Sequence, residues 1–96
     1  MKCVLICYNA GLHEDVLEAL HRADVSSYSR WEQILGSGQS SGQRLNSSIW
    51  PGFNSAMAVV VDDDRKDAVM SEIRLLRKEH SKEGVKAFVL PVEEMT

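Results

Sequence analysis

Apolar residues along the chain fall into four short runs and two helical stripes. The runs are rich in β-branched or aromatic side chains, which predicts strands at residues 2–8, 25–35, 56–61 and 85–91. The stripes repeat every three to four residues, which is typical of amphipathic helices at residues 12–23 and 65–81. Their apolar positions are Leu12, Val16, Leu20 and Ala23 in the first helix, and Val69, Ile73 and Leu76 in the second, with Leu17, Ala68 and Leu75 beside them.

This order of elements is β-α-β-loop-β-α-β, and it predicts an α+β fold of the ferredoxin-like βαββαβ type. Two right-handed crossovers place both helices on one face of a four-stranded antiparallel sheet. The 96 residues are expected to form one domain, residues 1–96. Because the strands are apolar almost throughout, we expect the other face of the sheet to be covered by further copies of the chain.

The composition changes sharply at residues 36–51, which are rich in Gly, Ser, Gln and Asn. Such a stretch buries no core, and it predicts a long, mobile loop at about residues 36–52. Loops longer than about 12–15 residues in compact domains are usually functional or disordered. We therefore expect function to lie in or beside this loop.

Charge and cysteine content exclude several classes of protein. The formal net charge is −3, so no overall basic field attracts nucleic acid, and the Lys/Arg cluster at residues 65–86 is interspersed with acids as on a solvated helix face. No apolar stretch approaches the ~20 residues of a membrane span. Cys3 and Cys7 would lie about 13 Å apart on a strand, too far to pair. We interpret them as reduced core thiols of a cytoplasmic protein.

Two groups of residues suit an anionic ligand. Gly36, Gly38 and Gly42, with Gln39 among them, allow backbone N–H groups to approach a phosphate closely, although the same residues also suit a merely flexible loop. Further along the chain, Lys82 and Lys86 flank Gly84, and both lysines, like Arg44, either neutralise phosphate charge or only keep the surface soluble.

Metal binding and catalysis find less support. His13 and His21 are eight residues apart, whereas two ligands on one helix need a spacing of four. No serine, cysteine or carboxylate is spaced with a base as a catalytic set, so we predict that the protein is not an enzyme. Trp31 and Trp50 are interpreted as packing anchors, and a metal site shared across a trimer axis stays open.

Three segments resemble PII signalling proteins. Residues 86–95 (KAFVLPVEEM) are similar to the C-terminal strand of that family. Residues 36–42 match the glycine-spaced base of its T-loop, and the first helix is similar to its Asp-Val-x-x-Ala-Leu helix. The resemblance implies a cytoplasmic homotrimer with ATP, ADP or AMP bound at clefts between subunits, and a loop that docks onto a target protein such as a transporter or an enzyme.

The chain also departs from the standard PII pattern. Its loop is shorter and has no tyrosine for nucleotidylation, and the basic residue before Gln39 is missing. Lys82, Gly84 and Lys86 match the phosphate-binding turn only in part, and the Arg-containing phosphate clamp is not found. The resemblance therefore implies a divergent, PII-like regulatory protein, with nitrogen, carbon and metal homeostasis all open as its pathway.

Two other functions fit the predicted fold. One is a CutA-like trimeric protein of metal tolerance, although the long aromatic hairpin expected of that family is not evident. The other is a ferredoxin-like small-molecule enzyme or isomerase. Titration with nucleotides against titration with copper or zinc separates the first from the PII-like function, and a turnover assay tests the second.

Overall fold

The protein is described by a computed structural model that covers residues 1–38, 42–44 and 53–96. Two α-helices and six strands make up this part of the chain. Their bounds are β1 Lys2–Asn9, α1 His13–Arg22, β2 Ser29–Ile34, β3 Gly36–Gly38, β4 Gly42–Arg44, β5 Asn54–Val61, α2 Asp63–Glu79 and β6 Val85–Pro91, with a 3-10 turn at Ala10–Leu12 before α1.

Four of these strands form one sheet in the order β2-β5-β1-β6, and all its neighbours are antiparallel. Together with the two helices, this order confirms the predicted ferredoxin-like βαββαβ fold. Strand β2 begins later than predicted, because the Val25 N–H donates to the carbonyl of Leu20 at the end of α1 (2.9 Å) and so belongs to the helix terminus. No helix in the described part is long and apolar enough to cross a bilayer.

Polar side chains bond to free backbone N–H groups at the start of the 3-10 turn before α1 and at the start of α2. The Asn9 side chain accepts a hydrogen bond from the Gly11 N–H (2.8 Å) and starts the turn before α1. The Asp62 carboxylate accepts from the Arg65 N–H (2.8 Å) and caps α2, and the Arg65 guanidinium lies against the same carboxylate. These contacts hold the pKa of Asp62 below its usual value, the backbone hydrogen bond being the largest cause.

The hydrophobic core lies between the two helices and one face of the sheet. The predicted helical stripes are buried in it, whereas Leu75, expected beside the second stripe, is 56% exposed. The strands contribute the side chains that alternate toward the helices. The core strand residues are Val4, Ile6, Tyr8, Met57, Val59, Val61 and Val85.

The prediction that both cysteines are core thiols is wrong. Cys3 and Cys7 alternate with the buried Val4, Ile6 and Tyr8, so they lie on the opposite face of the sheet, where they are only half-buried. We call this side the open face. Both cysteines are free thiols.

The prediction of one long loop after β2 is also wrong in part. Strands β3 and β4 pair antiparallel as a small ribbon, with Gly36 opposite Arg44 and Gly38 opposite Gly42. Backbone pairing requires no apolar side chains, so a Gly/Ser/Gln segment forms this ribbon without burying a core. Trp50 and Pro51 lie outside the described residues.

Candidate functional site

The predicted ligand-binding residues emerge at one end of the four-stranded sheet. At this end Ile34 of β2 lies opposite Asn54 of β5, and Tyr8 of β1 lies opposite Val85 of β6. The glycine ribbon follows β2 directly, and the turn with Lys82 and Gly84 precedes β6 directly. Both predicted groups therefore lie at the same end of the sheet, which we call the ribbon end.

The two groups belong to opposite edges of the sheet. Three strand spacings separate β2 from β6, which is about 14 Å. The sheet therefore does not bring Gly36, Gly38 and Gly42 together with Lys82, Gly84 and Lys86 by itself, and Gln39 lies outside the described residues. A ligand that touches both groups either spans this width or lies between two copies of the chain.

Strand β2 contains a β-bulge just before the ribbon. Trp31 lies opposite Ala56 and Ile34 lies opposite Asn54, so β2 contains one residue more than β5 over this interval. The buried Ser55 hydroxyl donates to the carbonyl of Glu32 in the bulge (2.6 Å). A bulge bends and twists its strand, so the direction of β2 changes just before the ribbon.

The turn before β6 is fixed by backbone bonds and one left-handed residue. Gly84 has φ 85°, a conformation that favours glycine, and its carbonyl accepts from the Asn9 N–H at the end of β1 (3.1 Å). His80 begins the turn, with its ring 4.0 Å from an Asp15 carboxylate oxygen and 3.7 Å from one of Glu83. The position of Lys82 is thereby set from both sides.

Lys86 lies in a row of side chains that crosses the open face at the ribbon end. Its neighbour across β1 is Cys7, followed by Ala56 and then Trp31 on the far edge. Burial raises the pKa of the Cys7 thiol, which keeps it protonated at neutral pH. The row therefore presents a cation and an indole above two small residues.

Trp31 is not the packing anchor that the sequence predicted. Its side chain is 52% exposed on the open face, away from the helix-covered core. Lys86 is exposed too, and it forms no hydrogen bond or ion pair with the described residues. Both ends of the row are thus free to contact a ligand or a second copy of the chain.

A pair of polar rings on the helix-covered face was not predicted. The Tyr8 hydroxyl is 2.8 Å from His13 Nδ1, and the two rings stack with centroids 6.0 Å apart. Burial lowers the pKa of His13, and the charge of Arg30 lowers it further. Neutral His13 is therefore the favoured form in this contact. No signal in the sequence indicated this pair, because Tyr8 and His13 are five residues apart on either side of a strand-to-helix turn. Neither the helical nor the strand period applies across such a turn.

No group of three or more His, Cys, Asp or Glu side chains within the described ranges is arranged to hold a metal ion. Arg44 lies in β4, opposite Gly36, so its backbone belongs to the ribbon. The arrangement that the fold does provide is a cationic turn and a glycine ribbon at one sheet end, with a row of side chains between the two edges whose outer members, Lys86 and Trp31, are exposed.

Comparison with known proteins gives the same architecture. The chain matches the nitrogen regulatory protein P-II family over residues 1–96. No curated protein sequence matches it. Similar solved structures include CPII, a nitrogen regulatory PII-like protein from Thiomonas intermedia bound to ADP, AMP and bicarbonate. It has a TM-score of 0.77 and 16% identity, and the match covers 93% of this chain and 82% of that one.

Two further structures share the fold. A putative PII-like signalling protein from Thermus thermophilus has a TM-score of 0.64 and 21% identity, with 93% of this chain and 83% of that chain covered. A DUF3240 family protein from Shewanella baltica has a TM-score of 0.73 and 14% identity, with 99% and 92% covered. At such identities these structures show that the fold is the same.

Proposed function

Because the chain belongs to the nitrogen regulatory protein P-II family, we propose that it is a regulatory protein that binds an adenine nucleotide or a related anion. The effector binds at clefts between the subunits of a homotrimer. The ligand-bound state is transmitted to a target protein, a membrane transporter or an enzyme, through the segment of residues 36–52. The protein acts by binding and not by catalysis, as a single domain in the cytoplasm.

The observation that carries this proposal is the position of Lys86. It is an exposed cation without an ion pair among the described residues, two positions after the left-handed Gly84, at the sheet end from which the glycine ribbon emerges. A lysine beside backbone N–H groups is a common way to hold a phosphate. The complex of the PII-like CPII with ADP and AMP supports this class of ligand.

The open face supports the trimer. Leu5 lies in the middle of this face, and the large apolar residues around it stay exposed in the single chain: Val60 is 41% exposed, Phe88 48% and Leu90 45%. Such a contiguous apolar surface is typical of a protein–protein interface. Within one copy, the ribbon and the cationic turn are about 14 Å apart. In the proposed trimer, the ribbon of one copy lies next to the cationic turn of another, so that one ligand contacts both.

Calorimetry with ATP, ADP and AMP tests the effector site. We expect one of them to bind, and Lys86→Ala to weaken it roughly 10- to 100-fold, as a charge-assisted hydrogen bond contributes about 1.5–3 kcal/mol. Lys78→Ala is the matched control, because Lys78 is an exposed lysine of α2 that lies outside the site. If no nucleotide binds below a few millimolar, or if both variants bind alike, the proposed site is wrong.

A further inference from the structure

The two halves of α2 differ in how many of their cations form ion pairs with acids. Around the first half of α2 each of them forms an ion pair: Arg65 lies 2.9 Å from Asp62, and Lys66 lies 2.6 Å from Asp67. Further pairs of this region include Lys2 with Asp63, Arg22 with Glu72 and Arg65 with Asp24. These cations are neutralised within the chain.

The cations in the second half of α2 differ from those in the first half. Arg74, Arg77 and Lys78 are all exposed, and none forms a hydrogen bond or ion pair with the part of the chain that the structure describes. Arg74 and Lys78 are four residues apart, so they lie one above the other on the helix surface. Arg77 lies beside them, between Lys78 and the buried stripe.

The acids of the same segment lie elsewhere. The Glu72 carboxylate bonds to Arg22 of α1 (2.9 Å), and the charge of Glu79 acts on Arg22 as well. Glu83 lies beside the His80 ring in the following turn. These acids therefore lie toward α1 or in the turn. The exposed side of α2 at residues 74–78 is left positively charged.

One apolar side chain accompanies these cations. Leu75 is 56% exposed, and it is adjacent to Arg74 and one turn before Lys78. An exposed leucine beside three exposed cations presents both an apolar contact and a positive field. We call Arg74, Leu75, Arg77 and Lys78 the basic stripe.

We propose that the basic stripe is a docking surface for a short acidic segment of a partner protein, in addition to the loop proposed above. Charge complementarity favours this occupant, because the three cations form no ion pair with an acid in residues 1–38, 42–44 or 53–96. The stripe is about one helical turn long, ~6 Å, which suits a peptide segment. A bilayer or a nucleic acid is disfavoured, because the whole chain carries a net charge of −3 and the stripe has a single exposed apolar residue.

Titration of the labelled protein with a short synthetic peptide of Asp and Glu around one leucine tests the proposal. We expect amide shifts to change at residues 74–78, and the affinity to fall several-fold when ionic strength rises from about 0.05 to 0.2 M. The variant Arg74→Gln, Arg77→Gln, Lys78→Gln should weaken binding about tenfold or more, since it removes three attractive charges. Glutamine keeps a high helix propensity, so α2 remains folded.

Two controls make the outcome decisive. The variant Arg74→Lys, Arg77→Lys retains the charge and should bind within about twofold of the parent chain, while a peptide with Asn and Gln in place of the acids should not bind. Shifts confined to Lys82 and Lys86 would overturn the proposal, because those residues belong to the effector site. Equal binding by the glutamine variant, or preferential binding of anionic lipid vesicles or a DNA oligonucleotide, would overturn it too.

Discussion

The two faces of the four-stranded sheet are both lined by apolar side chains, but only one is covered by helices. On the covered face Val4, Ile6 and Tyr8 are at most 1% exposed. On the open face the alternate residues Cys3 and Leu5 are half-buried, and their neighbour Phe88 on β6 is 48% exposed. Equal hydrophobicity of two faces therefore does not mean equal roles: one stabilises the single chain, and the other is available for assembly.

The largest effect expected from this difference is on folding. Ile6→Ala removes buried atoms beneath both helices and should lower the free energy of unfolding by about 2–5 kcal/mol, through lost transfer energy and a cavity. The matched control is Leu5→Ala, one residue away on the open face, which should cost clearly less in the dissociated chain. Urea denaturation at high dilution measures both, and equal losses would contradict the distinction between the faces.

A second effect is expected on assembly and not on the fold. Phe88→Glu places a charge within the exposed apolar surface of the open face, where its burial against another copy is costly. Light scattering should give about three times the 10.7 kDa chain mass for the parent protein and a single chain mass for the variant. Leu75→Glu on the outer surface of α2 is the control and should leave the mass unchanged. A trimeric Phe88→Glu variant would show that this face is not the interface.

The smallest effect concerns the polar rings on the covered face. The pKa of His13 is below its ordinary value of 6.5, so the unfolded chain takes up a proton before the folded one does. The stabilisation is therefore complete above about pH 6.5 and is lost as the pH falls through the lower, folded pKa.

Urea denaturation of the parent chain, His13→Gln and His21→Gln between about pH 7 and 5 measures this effect. His13→Gln should lose the pH dependence that comes from this group. His21→Gln is the control, since His21 is exposed near the end of α1, and it should keep that dependence. A steeper fall in stability for His13→Gln than for the parent chain on acidification would contradict the assigned neutral form.

Short segments of the sequence were sufficient to predict the helices, the strands and the fold. The apolar stripe predicted α2, which begins at Asp63, two residues before the predicted start, where Asp62 caps it. The run at residues 85–91 coincides with β6, and Gly84, just before this strand, has a left-handed conformation. Each of these features depends on a few consecutive residues, and the order of elements then leaves few topologies.

The candidate site was harder to predict from the sequence than the fold. The glycine spacing drew attention to residues 36–42, but not to the pairing of β3 with β4, because backbone pairing leaves no periodicity in a segment without apolar residues. Trp31 was assigned to packing on its residue type alone. Its place on the open face follows from its register with Ala56, which is set by strand β5, distant in sequence.

The sequence by itself determined the number, type and order of the elements, since helix and strand periods and capping residues act over a few positions. Only the tertiary structure decided which face each side chain of an all-apolar strand would take. A run such as residues 2–8 has no polar alternation, so the helices that pack on Ile6 and not on Leu5 make the choice. The same holds for charge: whether Arg65 or Arg74 is neutralised depends on contacts across the fold, as Arg65 reaches Asp24 and Arg74 finds no acid among the described residues.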